Sequence, residues 1–116
     1  MSFHRAFAEQ ELWDGDMRSH VTNGQRFVVL RTDGLLRAYR DICPHLGSTL
    51  SDGRLEDGVL TCRHHCWAFS ARSGCGVNPS GVRLDAVAIR IVDGMIEIDV
   101  DDAIAFAPRC LEASAT

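Results

Sequence analysis

Lysine is absent from this chain: all twelve basic residues are arginine. A bias in genome composition accounts for that, and no function is read from it. Proline is scarce too, at three residues. No run approaches the roughly 18 apolar residues of a membrane span, so none is expected. Met1-Ser2-Phe3-His4-Arg5 lacks a following apolar stretch. A secretory leader is therefore not expected, and a cytoplasmic protein is the default. Basic residues are outnumbered by sixteen Asp and Glu, for a formal charge of −4. Nucleic acid, which selects a basic patch, is not the expected partner. A partner with a basic docking face suits the charge better. No Gly-rich phosphate loop follows a strand, and no Ser/His/Asp arrangement presents itself, which removes nucleotide binding and triad hydrolysis. At 116 residues the chain is too short for a typical TIM barrel or a complete two-half dinucleotide fold. A hydrophobic share of 46% supports one domain over residues 1–116 with its own core.

Period 2 dominates the pattern that is present. Met17 to Thr22 reads as a weak strand and Arg26 to Arg31 as a stronger one. Asp33-Gly34 reads as a two-residue hairpin turn, with Leu35 to Arg40 as the return strand. Val59 to Thr61 and Trp67 to Phe69 flank the stretch from Cys62 to Cys66, and Ala71 to Gly74 closes a small hairpin. From Leu84 on, Val87, Ile89 and Ile91 share a face, Asp93-Gly94 turns the chain, and Ile96, Ile98 and Val100 alternate with Glu97 and Asp99. Such alternation predicts antiparallel strands with one wet side. Glu97, Asp99, Asp101 and Asp102 are read as a solvated face. Only Ala8 to Trp13 reads as a helical turn. The expected fold class is all-β, an antiparallel β-sandwich or small barrel.

Residues 42–81 behave differently. They hold four of the five cysteines and six of the ten glycines. The stretch reads as a small ligand-holding lobe inserted into a β base. An odd cysteine count in a cytoplasmic setting disfavours disulfides and moves metal binding forward. Cys43-Pro44-His45 is a C-x-H motif, and Cys62-Arg63-His64-His65 offers C-x-x-H, with sixteen residues between His45 and Cys62. A ligand pair one or two residues apart lets one tight loop reach one site, and two such loops close it. Two thiolates and two imidazoles suit tetrahedral zinc. They also suit the mixed-ligand [2Fe–2S] centre, in which two Cys hold one iron and two His the other. Zinc motifs more often separate the two ligand types, whereas each loop here carries one of each, which favours the iron–sulfur centre. The spacing leaves His64 open beside His65, because Cys62-x-His64 would mirror Cys43-x-His45. Cys66, Cys75 and Cys110 are read as free thiols acting as small apolar residues, with a Cys66–Cys75 bridge as the less favoured alternative.

Cys43-x-His45, sixteen residues, then Cys62-x-x-His65 resembles the Rieske iron–sulfur pattern. Trp67, Phe69, Gly74 and Asn78-Pro79 extend the resemblance, which covers about residues 10–100. It implies a Rieske-like antiparallel β-sandwich base with a cluster-binding lobe inserted at about 42–81. It also implies one [2Fe–2S] cluster held by Cys43, His45, Cys62 and His65, and so selects His65 over His64. Gly47, Trp67 and Pro79 would support the cluster, Pro79 in a proline loop beside it. Gly47, Gly74 and Gly76 would let backbone approach it. High-potential Rieske proteins carry one further Cys per loop, joined as a disulfide; the matching positions here are Ser48 and His64. Their serine that bonds a bridging sulfide is replaced by Trp67. Fewer hydrogen bonds to the sulfurs imply a potential toward the low end of the Rieske range, which starts at about −150 mV.

Thr61-Cys62-Arg63-His64-His65-Cys66-Trp67-Ala68-Phe69 and Gly76-Val77-Asn78-Pro79 are most similar to the ferredoxin of bacterial toluene-type diiron monooxygenases. The ferredoxins of aromatic ring-hydroxylating dioxygenases follow closely. Cys66 departs from the glycine common in the wider family. The resemblance implies a soluble one-electron carrier rather than an enzyme. It would take electrons from an NADH-dependent flavin reductase and pass them to the terminal oxygenase, the hydroxylase component, of an aromatic or alkene monooxygenase. The alternatives are the small iron–sulfur subunit of a nitrite-reductase-type enzyme and a zinc-stabilised interaction domain.

Overall fold

The run Phe27-Val28-Val29-Leu30 explains the architecture. In the computed structural model, which describes residues 3–42, 49–63, 67–78 and 81–100, these four side chains have no solvent exposure. They lie in β3 (Gln25–Thr32). Successive strand residues point to opposite faces, so four apolar residues in a row need cover on both sides. β3 sits inside the sheet order β2 (Met17–Thr22), β3, β4 (Leu35–Arg40), β9 (Ala86–Val87). Phe27 and Val29 pack with Phe7, Leu12, Ile96, Ile98 and Val100 on one side. Val28 and Leu30 pack with Tyr39, Leu50, Leu60, Phe69 and Leu84 on the other.

Each core is closed by another sheet. The first is covered by β1 (Phe3–Ala8), β11 (Met95–Asp99) and β10 (Ile89–Val92), hydrogen-bonded in that order. The second is covered by β5 (Arg54–Glu56), β6 (Val59–Thr61), β7 (Ala68–Ser70) and β8 (Gly76–Asn78). All strand pairings are antiparallel among the described residues. Single 3-10 turns occur at Glu9–Glu11 and Leu50–Asp52. The chain is all-β, as the alternation predicts.

Four tight turns set the hairpin registers. Asn23-Gly24, Asp33-Gly34, Asp57-Gly58 and Asp93-Gly94 each place both residues at positive φ. Positive φ at both central positions is the hairpin turn whose twist matches that of the strands it joins, and Asn and Asp tolerate it best after Gly. Two of these turns, at 33–34 and 93–94, are legible in the sequence pattern; those at 23–24 and 57–58 are not predicted.

The continuous alternation expected from Leu84 onward breaks at Ala88. β9 pairs with β4 in the middle sheet, and β10 pairs with β11 in the outer one. The chain changes sheets there, so Val87 is buried at 4% exposure while Ile91 is 43% exposed. Glu97 and Asp99, the described half of the acidic run, are also not a solvated face. β11 lies between β1 and β10, Asp99 is fully buried, and Glu97 accepts from Arg90 Nε at 2.7 Å. Asp101 and Asp102 lie outside the described residues. The helical turn expected over Ala8 to Trp13 is the shorter 3-10 turn at Glu9–Glu11. β1, β5 and β8 are strands the alternation does not reveal.

One side chain ties the middle sheet to the β5–β8 sheet. Tyr39 on β4 is buried and donates its hydroxyl to the Ala71 carbonyl at 2.7 Å. Burial pushes its phenol well above the usual range. Gly74, at φ +79°, lies against this ring: a Cβ there would sit 2.8 Å from Tyr39 Cε1. Its lack of a side chain therefore serves the Tyr39 ring. The structure predicts that Tyr39→Phe costs about 1–3 kcal/mol, through loss of a buried donor. Urea unfolding should show a lower midpoint with an unchanged slope.

Candidate functional site

The two segments that carry Cys43-x-His45 and Cys62-x-x-His65 are rooted at the same end of the β5–β8 sheet. The first leaves β4 through Asp41 and Ile42 and returns at Thr49. Asp41 is 1% exposed. Its carboxylate accepts the Ser51 backbone N–H at 2.8 Å and the Ser51 hydroxyl at 2.6 Å. Its own N–H donates to the Arg26 carbonyl at 3.0 Å. A buried carboxylate with both oxygens satisfied is a strong clasp, because charged hydrogen bonds outweigh neutral ones. It holds the two ends of residues 42–50 together from below. Leu50, with no exposure, plugs into the core, and Thr49 Oγ1 bonds Asp52 Oδ2 just beyond.

The second segment is the β6–β7 hairpin. Its ladder runs Val59–Ser70, Leu60–Phe69 and Thr61–Ala68. It continues one step further, where the Cys62 N–H donates to the Trp67 carbonyl at 2.7 Å. Cys62 is a free thiol at 1% exposure, packed in the same core cluster as Leu50 and Phe69. Trp67 packs against that cluster from its edge. β8 ends at Asn78, which faces Ala68 at this end of β7.

Gly53 joins the two roots. An added Cβ there would lie 1.9 Å from the Thr61 carbonyl oxygen and 3.2 Å from that of Leu50. Only glycine lets the return of the first segment pass this close to the strand that delivers Cys62. A cavity of about 290 Å³, lined by Asp52, Gly53, Arg54, Thr61, Cys62 and Arg63, opens at this junction. Asp52 faces the same cavity as Arg54 and Arg63, and Arg54 Nε lies 3.6 Å from Glu56 Oε1, so charges of both signs stand beside Cys62.

Of the residues singled out from the sequence, Cys62 and Trp67 stand at this junction. Cys43, His45 and Gly47, and likewise His64, His65, Cys66 and Pro79, lie outside the described residues. Sequence reasoning missed Asp41, Ser51 and Gly53. The available signal was an Asp two residues before Cys43 and a Ser-x-Gly after the segment, which spacing alone does not set apart from ordinary loop chemistry. One expectation is corrected: Cys75 is not a free thiol but disulfide-bonded. Cys62, the other described cysteine, is free, so the second sulfur lies outside the described residues. Metal-ligand spacing says nothing about such a bond.

Comparison with known proteins agrees with this arrangement. A family model described as Rieske [2Fe-2S] domain matches residues 2–88. The ferredoxin component of the alkene monooxygenase system of Xanthobacter autotrophicus is 36% identical over 95 residues, spanning 81% of this chain and 78% of that protein. The anthranilate 1,2-dioxygenase ferredoxin subunit of Burkholderia cepacia is 32% identical over 101 residues, spanning 84% and 92%. Among solved structures, a Sphingomonas yanoikuyae B1 ferredoxin superposes with a TM-score of 0.76 at 21% identity, over 84% of this chain and 98% of that one. A chain from the complex of reduced oxygenase and oxidised ferredoxin in carbazole 1,9a-dioxygenase gives 0.76 at 24% identity, over 83% and 91%. Those structural likenesses speak to the fold. The buried Cys62 at the end of β6, the clasped root of the Cys43 segment and the matched family model together make this chain a member of the Rieske [2Fe-2S] domain family, with one [2Fe–2S] cluster as its cofactor.

Proposed function

We propose that this protein is the electron carrier of a multicomponent oxygenase. It would take electrons from an NADH-dependent flavin reductase and deliver them to the terminal oxygenase of an aromatic or alkene monooxygenase. The observation that carries this reading is Cys62, a free thiol 1% exposed at the end of β6 and beside the clasped root of the first ligand segment. Cys43, His45, Cys62 and His65 are the ligands in this reading, with Gly47, Trp67 and Pro79 around them. The bound cluster supplies one-electron redox chemistry. The donor set fits it: a sulfur in a buried position at Cys62 and, by sequence, a histidine two residues after Cys43 and another three residues after Cys62. Asp41, Ser51 and Gly53 fix the described roots of the segments that carry these residues in the sequence. The monooxygenase reading is supported by the Xanthobacter relative, and a dioxygenase system by the Burkholderia relative. The family match favours iron over zinc at this donor set.

Low-temperature EPR of the purified protein tests the reading. Dithionite should bring up an anisotropic signal with average g below 2 that is absent beforehand. A colourless protein with one zinc per chain would overturn it. His65→Ala should abolish the visible spectrum and His64→Ala should keep it; the reverse would reassign the ligand.

The clasp yields a second outcome. Asp41→Ala should lower cluster content per chain several-fold in iron and sulfide assays, and Ser51→Ala less. Asp41→Asn keeps one acceptor and should fall between Asp41→Ala and the parent.

A further inference from the structure

Among the described residues, Trp13 is the most exposed large apolar side chain, at 73%. Its turn is firmly tied. The Trp13 N–H donates to Asp16 Oδ2 at 3.3 Å, and its carbonyl accepts the Asp16 N–H at 2.9 Å. The Gly15 N–H donates to the Arg31 carbonyl at 2.8 Å, and Arg31 Nε donates back to the Leu12 carbonyl at 2.8 Å. Asp14 Oδ1 accepts the Gly34 N–H at 2.7 Å. Leu12 is buried in the core beneath. Such a turn has little freedom left to lose on binding, and Trp is among the residues enriched as interface anchors. Its surroundings are acidic. Residues 9–16 carry Glu9, Glu11, Asp14 and Asp16 and no basic residue. Arg31 and Arg18 answer Glu9 and Glu11, whereas Asp14, Asp16 and the neighbouring Asp33 have no arginine within ion-pair distance among the described residues.

The complement of this anchor lies on the same chain. A cavity of about 310 Å³ is lined by Ala38, Val87, Ala88 and Ile89, together with Arg37 and Arg72. That size is at the lower end of what takes an organic ring system. Arg37 Nε donates to the Arg72 carbonyl at 2.8 Å and its Nη1 to the Leu36 carbonyl at 3.0 Å, which holds the guanidinium in place. Neither arginine has a carboxylate within ion-pair distance among the described residues. A second cavity, lined by Arg31, Gly34, Leu36 and Ile91, shares Arg37 and Ile89 with the first. The Trp13 turn is bonded to Arg31 and Gly34. Anchor and cavity therefore stand at the two ends of one continuous patch.

We propose that this patch joins two copies of the chain: the Trp13 indole of each copy seats in the Arg37–Arg72 cavity of the other, with Asp14 and Asp16 against the two arginines. A contact in which anchor meets cavity and cavity meets anchor is self-complementary and closes on a two-fold axis. The axis passes midway along the patch, by Leu36 and by Ile91, which is 43% exposed. Two seated indoles and the walls that cover them account for roughly 600–1,000 Å², so Leu36 and Ile91 supply the remainder of the roughly 1,200 Å² of a specific interface. A patch at that lower bound gives a dimer in exchange with its monomer. The patch lies by the 33–34 and 71–74 turns. Those are the opposite ends of β4 and of the β6–β7 hairpin from Asp41 and Cys62. Six residues of β4 separate the two ends, about 20 Å at roughly 3.3 Å per residue. Both ligand ends of the dimer stay uncovered. No residue of the ligand segments takes part, so the dimer and the carrier reading fail separately.

Sedimentation velocity of the full-length holoprotein tests this. Between about 1 and about 200 μM the mass should rise from one chain, 12.8 kDa, toward two. Raising salt from about 0.05 to about 0.5 M should weaken the dimer several-fold, since the carboxylate–arginine contacts are screened. Trp13→Ala should weaken it at least about tenfold, and so should Arg37→Gln/Arg72→Gln. Trp13→Ala removes an exposed side chain and keeps the backbone bonds of its turn, so its thermal midpoint should equal that of the monomeric parent. Mixing the two variants restores one of the two seats, because the indole of the arginine variant meets the intact cavity of Trp13→Ala. The mixture should therefore associate more tightly than either variant alone. A single-chain mass at every concentration, growth beyond two chains, or variants that associate like the parent would each overturn the dimer. A mixture no tighter than its components overturns the reciprocal seating.

Discussion

The structure depends on one constraint: the middle sheet is buried on both faces. Phe27, Val28, Val29 and Leu30 are all fully buried, and none of the four has a polar alternative. Burying such a side chain contributes about 1.5–3 kcal/mol relative to exposure. The chain therefore supplies two covers, β1-β11-β10 on one side and β5-β6-β7-β8 on the other. Tyr39 and Ala38 repeat the division on β4, with Tyr39 in one core and Ala38 in the other. Ala86 and Val87 repeat it on β9. The ligand-bearing hairpin is thus itself one of the covers of the core. Its strands stay where they are because the middle sheet has no other way to exclude water.

That arrangement suits electron transfer. A carrier gains when its site changes little between oxidation states, and here the roots of both ligand segments are held from the core. Leu50 and Leu60 anchor the two segments in the core. Asp41 clasps one root through Ser51, and the Cys62–Trp67 hydrogen bond extends the ladder of the other. Gly53 lets the two roots touch at the Thr61 carbonyl. The described roots of the two ligand segments are set on strands and their ends, in keeping with sites built on rigid elements.

Much of this was legible without coordinates. Asp33-Gly34 and Asp93-Gly94 have the chemistry of a tight hairpin turn, and both are such turns. The strands Met17–Thr22, Leu35–Arg40 and Val59–Thr61 follow from β-branched and alternating residues. The interrupted strand at Ala88 was not legible, because a switch between sheets leaves the local pattern of Val87, Ile89 and Ile91 unchanged. Asp99 was misleading for a related reason. A carboxylate on an alternating strand reads as solvent-facing, yet β11 is central in its sheet and Asp99 is fully buried.

The sequence by itself determined the fold class, because hairpin turns and period 2 are local in the chain, and its ligand spacing carries the proposed donor set. Spacing reads Cys62 with His64 or His65 as a ligand pair, and the family resemblance selects His65. Tertiary structure alone decided what holds Cys62 and the root of the Cys43 segment in place. Asp41 meets Ser51 ten residues away, Tyr39 meets Ala71 thirty-two residues away, and Gly53 meets Thr61 across a strand pair. Cys75 found a disulfide partner that no spacing rule announces. These contacts join residues whose separation carries no signature, since only the packed core brings them within bonding distance.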